Sequence, residues 1–88
     1  PKVRVGRFKN GFIEIAKDDI VTITIDDVLG DGKLIPSDFK EITQVAQPGV
    51  RILLDDGLME MEVTKAGDRK IEARVLYGGI LKDRKGMN

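Results

Sequence analysis

The sequence predicts an all-β fold, namely a small closed or partly open β-barrel of short antiparallel strands with at most one short helical turn. Three observations favour this fold class. Runs of β-branched and other apolar residues alternate with polar residues along most of the 88-residue chain. Turn residues, among them many of the ten glycines, separate these runs at intervals of roughly 8–12 residues. A sheet of this size would leave exposed edges if it stayed open, which favours closure.

Two short strands are expected in the first third of the chain. Residues 12–16 and 20–25 are rich in β-branched side chains, and Lys17-Asp18-Asp19 separates them as a turn. Asp26-Asp27 ends the second run, and Gly30-Asp31-Gly32 is a further turn. We therefore expect the two runs to form a hairpin.

Residues 37–46 carry the one helical signal. Ser37 or Asp38 is a suitable N-cap, and Glu41 stands three residues after Asp38, as in a capping box. The sequence Gln-Pro-Gly at 47–49 ends any helix early and is typical of a tight turn. The segment is therefore expected to form one or two helical turns.

Three strands are expected in the second half, over residues 51–54, 58–63 and 70–75. Asp55-Asp56-Gly57 is a strong hairpin signal between the first two, and Ala66-Gly67-Asp68 provides the next turn. The alternation places six residues in the core: Met59, Met61, Val63, Ile71, Ala73 and Val75. The two methionines are thus expected to fill the core rather than form a binding surface.

The charges are balanced in number but unevenly distributed. Fifteen basic and 15 acidic residues give a formal net charge of zero. Residues 1–10 carry four basic and no acidic side chains, residues 11–31 carry one basic and six acidic, and residues 76–88 carry three basic and one acidic. We expect a mixed solvated surface without bulk attraction to nucleic acid. Glu60 and Glu62 are expected to face Arg74 and Lys70 across their hairpin.

The composition excludes several classes of function. The chain has no Cys and no His, which excludes disulfides, thiol nucleophiles, the Ser-His-Asp triad and most zinc sites. No apolar run approaches the ~20 residues of a membrane span, and the N-terminus shows no signal peptide. A start at Pro without Met and an end on Gly-Met-Asn lead us to expect a piece of a longer protein. The lack of disulfides is compatible with a cytoplasmic location.

Few segments are candidates for chemistry. Asp55 and Asp56 bring two carboxylates together, but adjacent strand residues point to opposite faces, so we expect a turn rather than a metal site. Residues 78–86 combine glycines with cations, yet they lack the spacing and the trailing Ser or Thr of a phosphate loop. Three Phe and one Tyr are too few both to build a core and to stack bases. The residues alone therefore predict a β domain without a self-contained active site.

Three segments, taken together and in order, carry a resemblance to a known family. Residues 1–6 read Pro-Lys-Val-Arg-Val-Gly, residues 49–58 fit G-x-x-I-x-x-D-D-G-L, and residues 78–88 fit G-G-x-L-x-x-x-K-G-x-N. At this spacing the chain resembles pyruvate kinase, in particular its B domain, the small β-barrel lid inserted into the catalytic (β/α)₈ barrel. The resemblance covers residues 1–88 as a single domain.

The resemblance implies three site residues. Arg4 and Lys85 match residues that contact the phosphates of ADP or ATP, and Asp56 matches a residue that pairs with an arginine of the catalytic domain on lid closure. An inserted domain must have its ends close together, so we expect Arg4 and Lys85 near one another at the mouth of the cleft. Arg84 is an alternative phosphate contact. Outside this resemblance, Arg4 and Lys85 could be solvated charges and Asp56 a turn residue.

The implied reaction is phosphoryl transfer from phosphoenolpyruvate to ADP, giving pyruvate and ATP in glycolysis. The resemblance implies a homotetrameric parent enzyme that uses Mg²⁺ or Mn²⁺ together with K⁺. Its metal ligands and catalytic residues would lie outside these 88 residues, so the chain alone is expected to be monomeric and inactive. The alternative is a free-standing β-barrel module that binds an oligonucleotide or a protein partner.

Overall fold

The computed structural model describes residues 3–88, so that Pro1 and Lys2, which open the first motif, lie outside the described residues. Strands and one helical turn alternate with short loops in this part of the chain. In chain order they are β1 (Phe12–Ile15), β2 (Ile20–Thr24), β3 (Leu34–Pro36), α1 (Ile42–Val45), β4 (Arg51–Leu54), β5 (Met59–Lys65), β6 (Lys70–Tyr77) and β7 (Gly79–Lys82). The predicted all-β fold with one short helical turn is confirmed.

The strands form two sheets. Five pair in the order β3-β2-β6-β5-β4, and β1 pairs with β7. All pairs are antiparallel except β2 and β3, which are parallel. The edge strand β4 gains a partner from the C-terminus, because Leu53 and Asn88 exchange hydrogen bonds of 3.1 and 2.9 Å. The larger sheet therefore curls into a partly open barrel.

The predicted hairpin of β1 and β2 is wrong. β1 pairs with β7, with Ile13 opposite Leu81, while β2 lies between β3 and β6. The linking residues themselves hydrogen-bond to β6: Asp18 N donates to the Val75 carbonyl at 2.8 Å, and Val75 N donates to the Asp19 carbonyl at 2.9 Å. These hydrogen bonds hold the turn against β6, so that β2 continues beside β6 and does not fold back onto β1.

Side chains from every strand meet in one core. The alternating residues of β5 and β6 face it as predicted, and each is at most 2% exposed. Burial of one such aliphatic side chain stabilises the fold by roughly 1.5–3 kcal/mol. The buried apolar residues are Val5, Phe8, Ile13, Ile15, Val21, Ile23, Ile35, Ile42, Ala46, Ile52, Leu54, Met59, Met61, Val63, Ile71, Ala73, Val75, Leu81 and Met87. Met59 and Met61 are thus core residues, as predicted.

The helical turn begins later than its expected caps. Helix α1 covers Ile42–Val45, and its N-cap residue Glu41 makes no side-chain cap hydrogen bond. The Ser37 hydroxyl instead accepts a hydrogen bond from the backbone N–H two residues on, at 3.0 Å. The Asp38 carboxylate accepts one from Arg4 N at 3.0 Å. Both predicted caps therefore stabilise the loop before the helix, and Asp38 ties it to the N-terminal segment.

The turn between β4 and β5 has an unusual backbone. Gly57 N donates to the Leu54 carbonyl at 3.2 Å, and the two residues between them, Asp55 and Asp56, have φ of 55° and 58°. Gly57 follows with a φ of 86°, and Leu54 pairs with Met59, so the loop consists of the four residues 55–58. The hairpin is confirmed, but its loop contains three consecutive left-handed residues and is not a two-residue Asp-Gly turn.

The charges on β5 are paired differently from the prediction. Glu60 accepts a hydrogen bond of 2.7 Å from Arg51 on β4, which raises the pKa of Arg51. Glu62 does lie opposite Arg74, although the nearest charged atoms are 3.9 Å apart. Lys70 lies opposite Thr24 on β2. Glu60 itself lies opposite Tyr77, beyond a register shift between β5 and β6.

Gly78 permits a close contact between β1 and the chain that links β6 to β7. An added Cβ would overlap the Ile15 carbonyl oxygen and would lie 2.9 Å from the Ala16 Cα. Since both are backbone atoms, relief requires movement of the strand. We expect Gly78→Ala to lower the free energy of unfolding by about 1–3 kcal/mol, measured by urea denaturation.

Gly86→Ala is the matched control for Gly78→Ala. A Cβ at Gly86 meets nothing within 4 Å, and we expect a change within about 0.5 kcal/mol. Equal unfolding midpoints for the two variants would contradict the proposed overlap at Gly78.

An ion pair links the end of β2 to the start of β6. Arg69 Nε donates to the Asp26 carboxylate at 2.9 Å, and this hydrogen bond lowers the pKa of Asp26 below its ordinary value of 3.8. A depressed carboxyl pKa stabilises the fold above the unfolded value, and the contribution is lost as pH falls through the folded value. We expect Arg69→Gln to raise the Asp26 pKa in a carboxyl NMR titration. The variant should also lose less stability than the wild type when the pH falls below 3.8.

Arg51→Gln is the control for Arg69→Gln, because it removes an exposed arginine that pairs with Glu60 on another part of the sheet. It should leave the Asp26 titration unchanged. An Asp26 titration that is the same with and without Arg69 would show that the ion pair does not form in solution.

Candidate functional site

The first and last described segments run side by side. Met87 N donates to the Val3 carbonyl at 3.0 Å, and Val5 N donates to the Lys85 carbonyl at 2.9 Å. Arg4 between them forms an antiparallel bridge with Gly86. The structure therefore brings the two basic ends of the chain together and places Arg4 opposite the neighbour of Lys85.

These two segments and the β4–β5 turn surround a cavity of about 420 Å³. Its charged lining consists of Arg4, Asp55, Asp56 and Lys85, and we call it the charged cavity. Three of these residues are the site residues implied by the family resemblance, and they come from three separate parts of the sequence. Asp55 was missed as a site residue, because its motif indicated only a turn.

Backbone contacts fix the position of Arg4. Its N–H donates to the Asp38 carboxylate at 3.0 Å, and Asp38 N donates to the Arg4 carbonyl at 3.2 Å. One guanidinium nitrogen, Nη1, donates to the Arg84 carbonyl at 3.0 Å. A guanidinium has five N–H donors, so this contact leaves others available for an anionic ligand.

Lys85 is paired with Asp55. Its Nζ lies 3.6 Å from Asp55 Oδ1, and the two side chains are 40% and 22% exposed. Asp55 N donates to the Gly86 carbonyl at 3.0 Å, which holds the turn against the segment that carries Lys85. The sequence predicts a turn at Asp55 and Asp56, and it argues against a shared site because adjacent strand residues point to opposite faces. Both line the cavity, because they lie in a left-handed turn and not in an extended strand.

Arg84 belongs to a different cavity. With a φ of 62°, it lines a space of about 550 Å³ together with Asp26, Asp38 and Lys40. Its neighbour Lys85 lines the charged cavity. The two adjacent cations, both considered as phosphate contacts, therefore line different cavities.

The described residues do not form a metal centre. Among residues 3–88, no three acidic side chains converge into a group that could hold a metal ion. Asp55 and Asp56 share the charged cavity, but the Lys85 ammonium already faces Asp55. These residues do not fit the metal ions implied by the family resemblance. No helix in the described part of the chain is long and apolar enough to cross a membrane.

A family model and the curated relatives of this chain point to the same family. A family model described as pyruvate kinase, barrel domain, matches residues 1–88. The pyruvate kinase of Clostridium perfringens is 39% identical over 89 residues, which cover 100% of this chain and 19% of that protein. The pyruvate kinase of Thermococcus litoralis is 36% identical over 87 residues, which cover 99% of this chain and 18% of that protein. The chain thus spans about a fifth of the length of these relatives.

Comparison with solved structures agrees with the sequence matches. A pyruvate kinase from Cryptosporidium parvum is similar over 100% of this chain and 18% of its own, with a TM-score of 0.96 and 30% identity. A structure of Cryptosporidium parvum pyruvate kinase in complex with ADP has a TM-score of 0.95 at 30% identity, again over 100% of this chain and 18% of its own. The family match extends over every residue, and the chain belongs to the pyruvate kinase family.

Proposed function

We propose that residues 1–88 form the lid domain of a pyruvate kinase, which closes over the nucleotide during phosphoryl transfer between phosphoenolpyruvate and ADP. The observation that carries the proposal is the charged cavity, where Arg4, Asp56 and Lys85 meet from three distant segments. The similarity to a pyruvate kinase structure in complex with ADP supports a nucleotide as the ligand.

The pairing of the first and last described segments is compatible with a domain inserted into a longer protein. Hydrogen bonds join the segment at Val3 and Val5 to the segment at Lys85 and Met87, so that the chain enters and leaves at one place. The relatives are about five times longer than this chain. The catalytic residues of the proposed reaction would lie in that remaining length.

Arg4 and Lys85 are proposed to bind the phosphates of ADP or ATP. Charged hydrogen bonds from guanidinium and ammonium groups to phosphate oxygens are short and strong, and they hold the phosphates in position for transfer. Arg4 is suited to this role because backbone contacts fix it while most of its donors are available. Closure of the lid would then exclude water from the transfer step.

Asp56 is proposed to pair with an arginine of the catalytic domain when the lid closes. It is exposed at the β4–β5 turn and lines the same cavity as the two cations. A φ of 58° is tolerated by Asp better than by most residues, so the turn can present its carboxylate outward.

The proposal includes a cytoplasmic, homotetrameric parent enzyme of glycolysis. The Mg²⁺ or Mn²⁺ and K⁺ implied by the resemblance would have their ligands elsewhere in that protein, and no step here is assigned to them. Of the two functions that the residues left open, family membership supports the lid over a free-standing binding module.

Arg4 and Lys85 are tested by substitution in the full-length enzyme. We expect Arg4→Ala and Lys85→Ala each to raise the KM for ADP by about tenfold or more, because each removes a charged hydrogen bond to phosphate. The KM for phosphoenolpyruvate should change much less. Steady-state kinetics with each substrate varied in turn measures both effects.

Arg84→Ala is the matched control. It removes a cation adjacent in sequence to Lys85 that lines the other cavity, and the KM for ADP should stay within about twofold of wild type. Unchanged ADP kinetics in both the Arg4 and Lys85 variants would refute the proposed phosphate site. An effect of Arg84→Ala as large as that of Lys85→Ala would show that the two cavities are not functionally separate.

The isolated chain is predicted to fold but not to catalyse the reaction. We expect no formation of pyruvate from phosphoenolpyruvate and ADP by the pure 88-residue chain, because the catalytic residues implied by the resemblance would lie in the remaining length of the parent enzyme. The full-length enzyme at equal molar concentration is the positive control. Turnover that copurifies with the short chain through two different columns would contradict this expectation.

A further inference from the structure

The two cations of the charged cavity are held in different ways. The Arg4 guanidinium donates to a neutral carbonyl, that of Arg84, and within residues 3–88 it forms no ion pair. The Lys85 ammonium faces the Asp55 carboxylate at 3.6 Å. One cation therefore carries an uncompensated charge, whereas the charge of the other is matched by an acid within the same cavity.

The backbone fixes Asp55 in this position. Its N–H donates to the Gly86 carbonyl at 3.0 Å, one residue beyond Lys85. Its φ of 55° belongs to the left-handed turn between β4 and β5, which places the carboxylate at the cavity and not along the strand face. The side chain is only 22% exposed, so the carboxylate is partly shielded from water and acts on Lys85 at close range.

We propose that Asp55 is an internal counter-ion of the phosphate site, which holds Lys85 while the nucleotide is absent and is displaced from it by phosphate. This inference rests on the proposed function of Lys85. A phosphate oxygen and the Asp55 carboxylate compete for the same ammonium group, and the carboxylate also repels an approaching anion. Asp55 therefore keeps Lys85 oriented in the empty cavity and at the same time weakens nucleotide binding.

The expected strength follows from the geometry. A separation of 3.6 Å is longer than a good charged hydrogen bond, and Lys85 is 40% exposed. A partly exposed ion pair of this kind contributes little free energy. Its removal should therefore change the affinity for ADP by about two- to fivefold. An anion with several charges can displace such a partner, and the competition should weaken as salt screens the charges.

The test is the affinity of the full-length enzyme for ADP, measured by isothermal titration calorimetry. We expect Asp55→Asn to lower the Kd for ADP by about two- to fivefold at low salt and by less at high salt. A merely structural role of Asp55 would give the opposite sign, because a disordered turn would weaken binding. Asn tolerates left-handed φ, and Asp55→Gly is a second variant that suits this backbone and should give the same result.

Asp18→Asn is the matched control. Asp18 also has a positive φ, of 73°, and its carboxylate forms an ion pair with Arg74 at 3.0 Å away from the charged cavity. Its substitution should leave the Kd for ADP unchanged. Equal or weaker ADP binding in the Asp55 variants, compared with this control, would overturn the inference.

A second measurement separates the inference from the proposed function. If Lys85→Ala leaves the Kd for ADP unchanged, the phosphate site itself is refuted. If Lys85→Ala weakens binding but Asp55→Asn does not strengthen it, only the counter-ion role fails. In the Lys85→Ala background, Asp55→Asn can relieve only the direct repulsion between the carboxylate and phosphate, so we expect a smaller gain in affinity than in the wild-type background. An equal or larger gain there would also overturn the role, because Asp55 would then act on the nucleotide and not through Lys85.

Discussion

The backbone pairing between the first and last segments is the constraint on which the site depends. Hydrogen bonds from Met87 to Val3 and from Val5 to Lys85 close the chain on itself. The same C-terminal segment exchanges hydrogen bonds with Leu53 on β4 and so completes the curl of the larger sheet. The fold and the charged cavity therefore share one set of contacts, and a change that separates the ends would disturb both.

The turns then decide which charges share a cavity. The left-handed turn between β4 and β5 presents Asp55 and Asp56 on the same side, where they meet Lys85. Arg84 also has a left-handed backbone, and it lines the other cavity while its neighbour Lys85 does not. The few residues of positive φ in these turns thus determine which surface charges lie in the same cavity.

Most of the strands could be predicted from the sequence, because alternation of apolar and polar residues reports which face is buried. Met59 and Met61 are correctly placed for this reason. The partner of β1 could not be predicted in this way, since alternation does not identify the strand that lies opposite. The hydrogen bonds of Asp18 and Asp19 with Val75 hold the turn after β1 against β6, and they join residues more than 50 positions apart.

The site was predicted less completely than the fold. The motifs identified Arg4, Asp56 and Lys85 as candidates, but nothing local indicated that Asp55 would face the ammonium group or that Arg84 would line another cavity. Those facts depend on φ at single residues and on the packing of distant segments.

The joined ends have a mechanical consequence. Arg4 and Lys85 lie on two segments that are hydrogen-bonded to each other, so the rotation of the domain that the proposed lid function requires would carry both residues together. Two cations on independent tethers would change their spacing with every movement. Here the spacing of the two backbone positions is fixed by a two-stranded ribbon, and under the proposed function one phosphate chain would stay bound to both residues while the domain moves.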